Sequence, residues 1–279
     1  RLRTTRTSPR AADGTYLLFF NGQSFREHDF SPPPDCKRNE TGRYWHGGGA
    51  CATARDCNGG DNQCDEAGVC VCEHHSFGLH CDKEIETVNL LTASSLSGPW
   101  SKLLPDGTPF FEDGTMMSNP SGFALPNGTV VLAYSRAPAL GVAVAPSWRG
   151  PYTRLYTTSA DGTRNYSLVD PSGGPFNVSH GEDPFIWRDR RGTWRMLFHG
   201  YGGDGMATCG QAAWSADLLH WHAQPVPVYN TSVAYEDGST RVFARRERPA
   251  LLFDERMDPT HLFNAIKPAE GIYKGKTYS

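Results

Sequence analysis

NGTVVLAYS (Asn127–Ser135) sets a turn glycine ahead of alternating bulky residues, and RGTWRMLFH (Arg191–His199) repeats that order sixty-four residues later. DGTYLLFF (Asp13–Phe20) opens in the same way, and DPTHLFNA (Asp258–Ala265) is a weaker fourth copy in which Asp-Pro supplies the turn. A turn residue followed by period-two alternation predicts a strand leaving a hairpin. A second signature follows each of the first three copies: LLTASSLSGPWSKL (Leu90–Leu103), GVAVAPSWRGPYTRL (Gly141–Leu155) and AAWSADLLHWHAQ (Ala212–Gln224). Each reads as a strand, a small-residue turn and an aromatic that begins the next strand. The long interval between Gly14 and Gly128 matches the others once residues 36–83 are set aside as an insertion.

A repeat of about 64 residues holding four short strands has the size of a β-propeller blade. A β-sandwich shares the turn spacing but does not require a long-period repeat, so the repeat favours the propeller. Four blades are visible over 1–35 and 84–279. A fifth is expected before Arg1 or completed by the two termini. With no initiator Met and no signal peptide, the chain is expected to be a processed form or an excerpt.

Composition narrows the function classes. Charge is nearly balanced, with 27 basic and 30 acidic residues and a net charge of −3, which argues against phosphate-driven nucleic-acid binding. No apolar run approaches the roughly 18 residues that a bilayer-spanning helix needs. Seven of the eight cysteines fall between Cys36 and Cys81, and five glycosylation sequons occur at Asn39, Asn127, Asn165, Asn177 and Asn230. Together they point to a secreted or cell-surface glycoprotein.

Six cysteines (Cys51, Cys57, Cys64, Cys70, Cys72 and Cys81) crowd into 31 residues, too dense a set for a hydrophobic core. Their irregular C-x-C spacing in an oxidising compartment argues against a zinc site, and sequence alone allows 15 pairings. The run resembles an EGF-like module, including CVC (Cys70–Cys72) and Gly78 three residues before Cys81. That resemblance implies Cys51–Cys64, Cys57–Cys70 and Cys72–Cys81. Cys36 and Cys209 remain, and they are expected to pair with each other. The 36–83 insertion would serve as a spacer or a contact surface for extracellular protein partners.

Three motifs recur where inner strands would begin: SNPSG (Ser118–Gly122), GEDPF (Gly181–Phe185) and RERPA (Arg246–Ala250). Counted back from the proline, by one residue in the first two motifs and by two in the third, they put Asn119, Asp183 and Glu247 at one recurring place. Inner strands of a propeller converge on a shared axial site, so these side chains are expected to meet. The ordered set resembles the five-bladed propeller glycoside hydrolases, including families 32, 43 and 68. That resemblance implies an all-β, five-bladed-type propeller with glycan recognition at the channel mouth. Glu247 would be the general acid and Asp183 the carboxylate that orients it and stabilises charge on the sugar ring. Asn119 departs from the family's Asp, because an amide can neither take a proton from water nor form a glycosyl ester. Either the base comes from a carboxylate elsewhere, the candidates being Glu182, Asp29, Asp113 and Asp204, or the site binds glycans without hydrolysing them. His180, Glu182, His199 and His261 are expected to flank the mouth as sugar-binding groups. No metal or cofactor is called for. The alternative is a non-catalytic structural or adhesive extracellular module in which these motifs serve turn geometry alone.

Overall fold

The computed structural model describes residues 10–23, 44–53, 56, 63–64, 66–73, 76–77, 83–84, 86–103, 118–136, 139–158, 165–166, 168–172, 176, 181–200 and 209–268. Contacts divide the chain into two compact units. The first comprises Arg1–Phe20, Leu90–Leu103 and Ser118–Ser279, and the second Asn21–Asn89 and Leu104–Met117. The division thus runs at different residues from the cysteine-delimited segment 36–83. No helix among the described residues is long and apolar enough to cross a membrane.

The first unit is built from antiparallel meanders, each a propeller blade. Blade one contributes Tyr16–Gln23, Glu86–Ala93 and Ser101–Lys102, with Glu86–Ala93 in the middle; the first unit holds these strands up to Phe20 and from Leu90 onward. Blade two runs Ser118–Ala124, Val130–Arg136, Ala139–Ala145 and Thr153–Leu155, each strand paired with the one before it. Blade three repeats this with Gly181–Arg188, Trp194–Gly200, Gly210–Ser215 and His222–Ala223. Blade four has Ser232–Ala234, Thr240–Phe253 and Pro259–Pro268.

The turn signature read from the sequence closes the hairpins. Gly14, Gly128 and Gly192 all have φ near +90°, and each donates its N–H to the carbonyl three residues earlier (Ala11, Leu125 and Asp189). Only glycine adopts that conformation without a clash at Cβ. The fourth copy corrects the sequence reading. Met257, at φ 65°, takes the glycine's place in the Asp254–Asp258 turn, so the left-handed residue precedes the Asp-Pro. The Gly-Pro pairs of the second signature, Gly98-Pro99 and Gly150-Pro151, form a second matched pair of turns, Gly98 and Gly150 each donating to a serine carbonyl, Ser95 and Ser147.

Alternation buries one side of each strand between blades. Val131, Ala133, Leu140, Val142, Ile186, Trp194, Met196 and Phe198 form the core between blades two and three, with Trp221 fully buried against them. Trp187, Leu197, Leu251 and Phe253 form the next layer, between blades three and four. Aromatic residues near the motif strands therefore fill space between blades: Phe185 stacks on Phe253, and Trp187 lies 5.9 Å from the same ring. Blade one is pinned to blade two where Trp148 Nε1 donates to Asp13 Oδ2 at 3.1 Å.

In the second unit Tyr44–Ala50, Val69–Glu73 and Gln63–Cys64 form a three-stranded sheet, and Cys51 is bonded to Cys64. Cys70 is also disulfide-bonded. Cys36, Cys57 and Cys81, together with the side chain of Cys72, lie outside the described residues. Cys209 carries a free thiol, so the expected Cys36–Cys209 bridge is not formed. The Cys209 backbone is committed within blade three, its carbonyl accepting from Gly200 at 3.2 Å.

The blade interface should dominate stability. Phe198→Ala, at a fully buried position, is expected to cost about 3–5 kcal/mol, whereas Val226→Ala, at 63% exposure, should stay within about 0.5 kcal/mol. Denaturant midpoints measure both, and equal effects would contradict this packing.

Candidate active site

The three motifs share one backbone device. In blade two, Ser118 pairs with Ser135 and Ser121 with Ala133. In blade three, Glu182 pairs with His199 and Phe185 with Leu197. In blade four, Glu247 pairs with Ala265 and Ala250 with Phe263. Each inner strand thus carries one extra residue, a β-bulge that re-aims the side chains beside it. The two residues that stand opposite a single partner residue are Asn119-Pro120, Asp183-Pro184 and Arg248-Pro249, and a bulge tolerates proline because that position need not donate to the ladder. Asn119, Asp183 and Arg248 have φ of 51°, 52° and 52°, left-handed at all three.

This register corrects the sequence alignment. The structural equivalent of Asn119 and Asp183 is Arg248, and Glu247 is equivalent to Glu182 and Ser118. The residue immediately before the third proline, Arg248, holds the equivalent place, and the two-residue count to Glu247 does not.

The displaced register still brings carboxylates within electrostatic range of one another. Asp183 and Glu247 are 7% and 8% exposed, and the charges of both act on Glu182. Asp183 is fixed through its backbone N–H, which donates to Ser135 Oγ at 3.1 Å across the blade boundary. Asn119 Nδ2 donates to Glu182 Oε1 at 3.3 Å. His199 stands between the two neighbouring acids, Nδ1 3.2 Å from Asp183 Oδ2 and Nε2 3.6 Å from Glu182 Oε2. One ligating atom from each of these three side chains lies within 4.8 Å of the others, and among the described residues they form a set compact enough to surround a cation.

Cations border the acids. Arg245 Nη1 is 3.0 Å from Glu247 Oε1, and Arg248 Nε is 3.9 Å from Asp183 Oδ2. Arg246 turns away, donating to the Asn230 carbonyl at 2.8 Å and Asn264 Oδ1 at 2.9 Å over the Tyr229 ring. Asn264, which no sequence pattern singled out, also donates to the Glu247 carbonyl at 3.3 Å. Burial pushes Glu182 above its ordinary value, and the Asp183 and Glu247 charges push the same way, against His199 and Arg248.

Two expected sugar ligands are placed differently. His199 is 1% exposed, too deeply buried to meet a hydroxyl group, and it contacts carboxylates instead. His261 is exposed but pairs with Leu252, well along the strand from Glu247, and stacks on Phe263. His180, Asp29, Asp113 and Asp204 lie outside the described residues. Asn119, Glu182, Asp183 and Glu247 are brought together.

No protein-family model matches the sequence, and no curated protein matches it. Among solved structures, an endo-arabinase from Bacteroides thetaiotaomicron is 17% identical with a TM-score of 0.38, over 72% of this chain and 71% of that one. A thermostable family-43 glycoside hydrolase is 14% identical with a TM-score of 0.38, over 65% and 57% of the two chains. A family 43 arabinoxylan arabinofuranohydrolase from Bacillus subtilis is 14% identical with a TM-score of 0.36, over 78% of this chain and 48% of that one. The chain thus spans only part of these proteins. Overlaps this small carry no argument, and the blade assignment rests on the chain's own repeated meanders.

Glu182 gives the site a pH signature. A carboxyl whose folded value is raised above the unfolded one contributes stability below about pH 4.5, and that contribution is lost as pH rises through the folded value. Glu182→Gln should therefore match the parent near pH 4 and be the more stable protein at pH 7–8. Urea midpoints across that range test this, and a constant offset would contradict it.

Proposed function

We propose that this chain is a secreted, glycosidase-like propeller that recognises carbohydrate where the bulges of blades two to four meet, and that it cleaves a glycosidic bond there. The observation that carries this reading is the convergence of three carboxylates, Glu182, Asp183 and Glu247, in partly buried surroundings beside an amide donor. Glycoside hydrolysis needs one carboxyl that can give a proton to the leaving oxygen and another that can take one or attack carbon. Asn119 supplies neither. Glu182, partly exposed and held toward its protonated form, suits the donor. Glu247, paired with Arg245, suits the acceptor that activates water, and Asp183 offsets positive charge on the ring. This reverses the role that the family resemblance implies for Glu247. Asn119 orients Glu182 and offers its carbonyl oxygen to sugar hydroxyls.

The secretory part of the proposal draws on the Cys51–Cys64 bond and on the sequons. Asn127 and Asn230 are exposed on turns, each side-chain oxygen accepting a backbone N–H two residues on, a surface setting that suits glycosylation. The cysteine-rich segment is read as an EGF-like insertion presenting a protein-contact surface.

A second reading is favoured by the arginines. Arg245 and Arg248 border two of the three acids, as in a site whose charges serve structure or adhesion. A glycan array combined with turnover assays separates the two readings. A hydrolase releases product from arrayed oligosaccharides and from a panel of 4-nitrophenyl glycosides. Glu182→Gln should then slow oligosaccharide cleavage by about 10²–10⁴-fold and affect 4-nitrophenyl substrates much less, because nitrophenolate departs without a proton. Glu247→Gln should slow both. Glycan binding without turnover supports the adhesive reading, and neither binding nor turnover overturns the carbohydrate assignment.

A further inference from the structure

The run ARRER (Ala244–Arg248) carries three arginines, and the fold of blade four sends them to three different places. Arg246 is spent on the scaffold, lying over the Tyr229 ring and bonded to the Asn230 carbonyl and to Asn264. Arg245 meets Glu247 Oε1 at 3.0 Å. Arg248 does neither. Its side chain is 62% exposed, and its guanidinium makes no hydrogen bond among the described residues. Its Nε stands 3.9 Å from Asp183 Oδ2, within ion-pair range but beyond hydrogen-bond reach. A planar fork of five N–H donors is therefore held at the edge of the acid cluster.

Neither backbone nor packing asks for an arginine there. Arg248 occupies the left-handed seat that Asn119 fills in blade two and Asp183 in blade three. Glycine and asparagine take that conformation most readily, and a side chain so exposed adds little to the core. A guanidinium kept only to neutralise Asp183 would close to the roughly 2.7–2.9 Å of a charge-assisted hydrogen bond. At 3.9 Å and facing water, its donors are left for a group arriving from solvent. General attraction of anions does not account for it, because the chain carries a net charge of −3. Of the three equivalent seats, one offers an amide, one a carboxylate and one a fixed positive charge.

We infer that Arg248 selects a sugar bearing an anionic substituent, the carboxylate of a uronic acid or a sulfate ester, on the unit that sits over Asp183. The inference rests on the carbohydrate reading of the site. Both substituents share the chemistry that a guanidinium recognises, negative oxygens spaced to accept two parallel N–H bonds. The acids restrict where that charge lies. An anionic group set among Glu182, Asp183 and Glu247 would be repelled, so the substituent points outward against Arg248 while the uncharged part of the ring faces the carboxylates.

An array of matched glycans tests this, with uronate oligosaccharides beside their carboxyl-reduced forms and sulfated oligosaccharides beside their desulfated forms. The parent protein should bind the charged member of a pair about 10–100-fold more tightly, the range that hydrogen bonds to a charged group provide. A preference confined to uronates assigns the carboxylate, and one confined to sulfated glycans assigns the sulfate ester. Arg248→Asn gives blade four the residue type that blade two already carries at the same φ, so the variant should fold. It should erase the preference and leave binding of the neutral forms in place. Arg256→Ala removes a positive charge from the exposed Asp254–Asp258 turn and should keep the preference intact. Equal binding of charged and neutral forms by the parent overturns the inference and keeps the carbohydrate reading. A loss in Arg248→Asn that is the same for both members of each pair also overturns it, by making Arg248 a structural residue. Absence of binding to every glycan, charged or neutral, removes the carbohydrate reading itself and this inference with it.

Discussion

The residue before each motif proline, held left-handed inside a β-bulge, is the constraint on which the site depends. Asn119, Asp183 and Arg248 adopt φ near +50°, a conformation that costs roughly 1–2 kcal/mol for each residue other than glycine. Paired strands on either side of every bulge hold it there. The bulge lets neighbouring residues depart from simple alternation. Glu182 and Asp183 are adjacent in sequence, yet both reach His199. On a regular strand they would point to opposite faces.

The same device links site to scaffold. Ser135, the ladder partner of the residue before the blade-two bulge, accepts the backbone N–H of Asp183 in blade three. Ser121 likewise accepts the N–H of Ile186, whose side chain lies in the core between those blades. Packing of the apolar faces therefore sets where the acids stand. The matching position in blade three is His199, which meets carboxylates instead. A repeated structural seat has been turned to electrostatic use by a change of side chain.

Much of the fold was legible because turn chemistry is local. Gly14, Gly128 and Gly192 mark their hairpins by a conformation only glycine takes freely, and alternation behind them identifies the buried faces. Met257 hid its turn because nothing in its chemistry announces a left-handed backbone. The site was half legible. Prolines located the bulges, but the side chain that matters sits at the proline's neighbour in blade three and one residue earlier in blade four. That offset depends on strand register, which the residues do not print. From the sequence His199 reads as a sugar-binding group at the channel mouth, but its burial between two acids follows from the packing of blades. The free thiol of Cys209 shows the same limit, since cysteine counting cannot see which sulfur atoms come within bonding distance.

The central claim is that one polar cluster, formed by Asn119, Glu182, Asp183, His199 and Glu247, is where a sugar binds. Titration of an array-selected oligosaccharide into protein labelled at asparagine and histidine side chains tests it most directly. The account predicts that the Asn119 amide signal and the His199 ring signal move together and saturate at the affinity measured by calorimetry. Saturable binding that leaves both unmoved while shifting residues elsewhere, such as Trp214 and His222 on the outer strands of blade three, would contradict it.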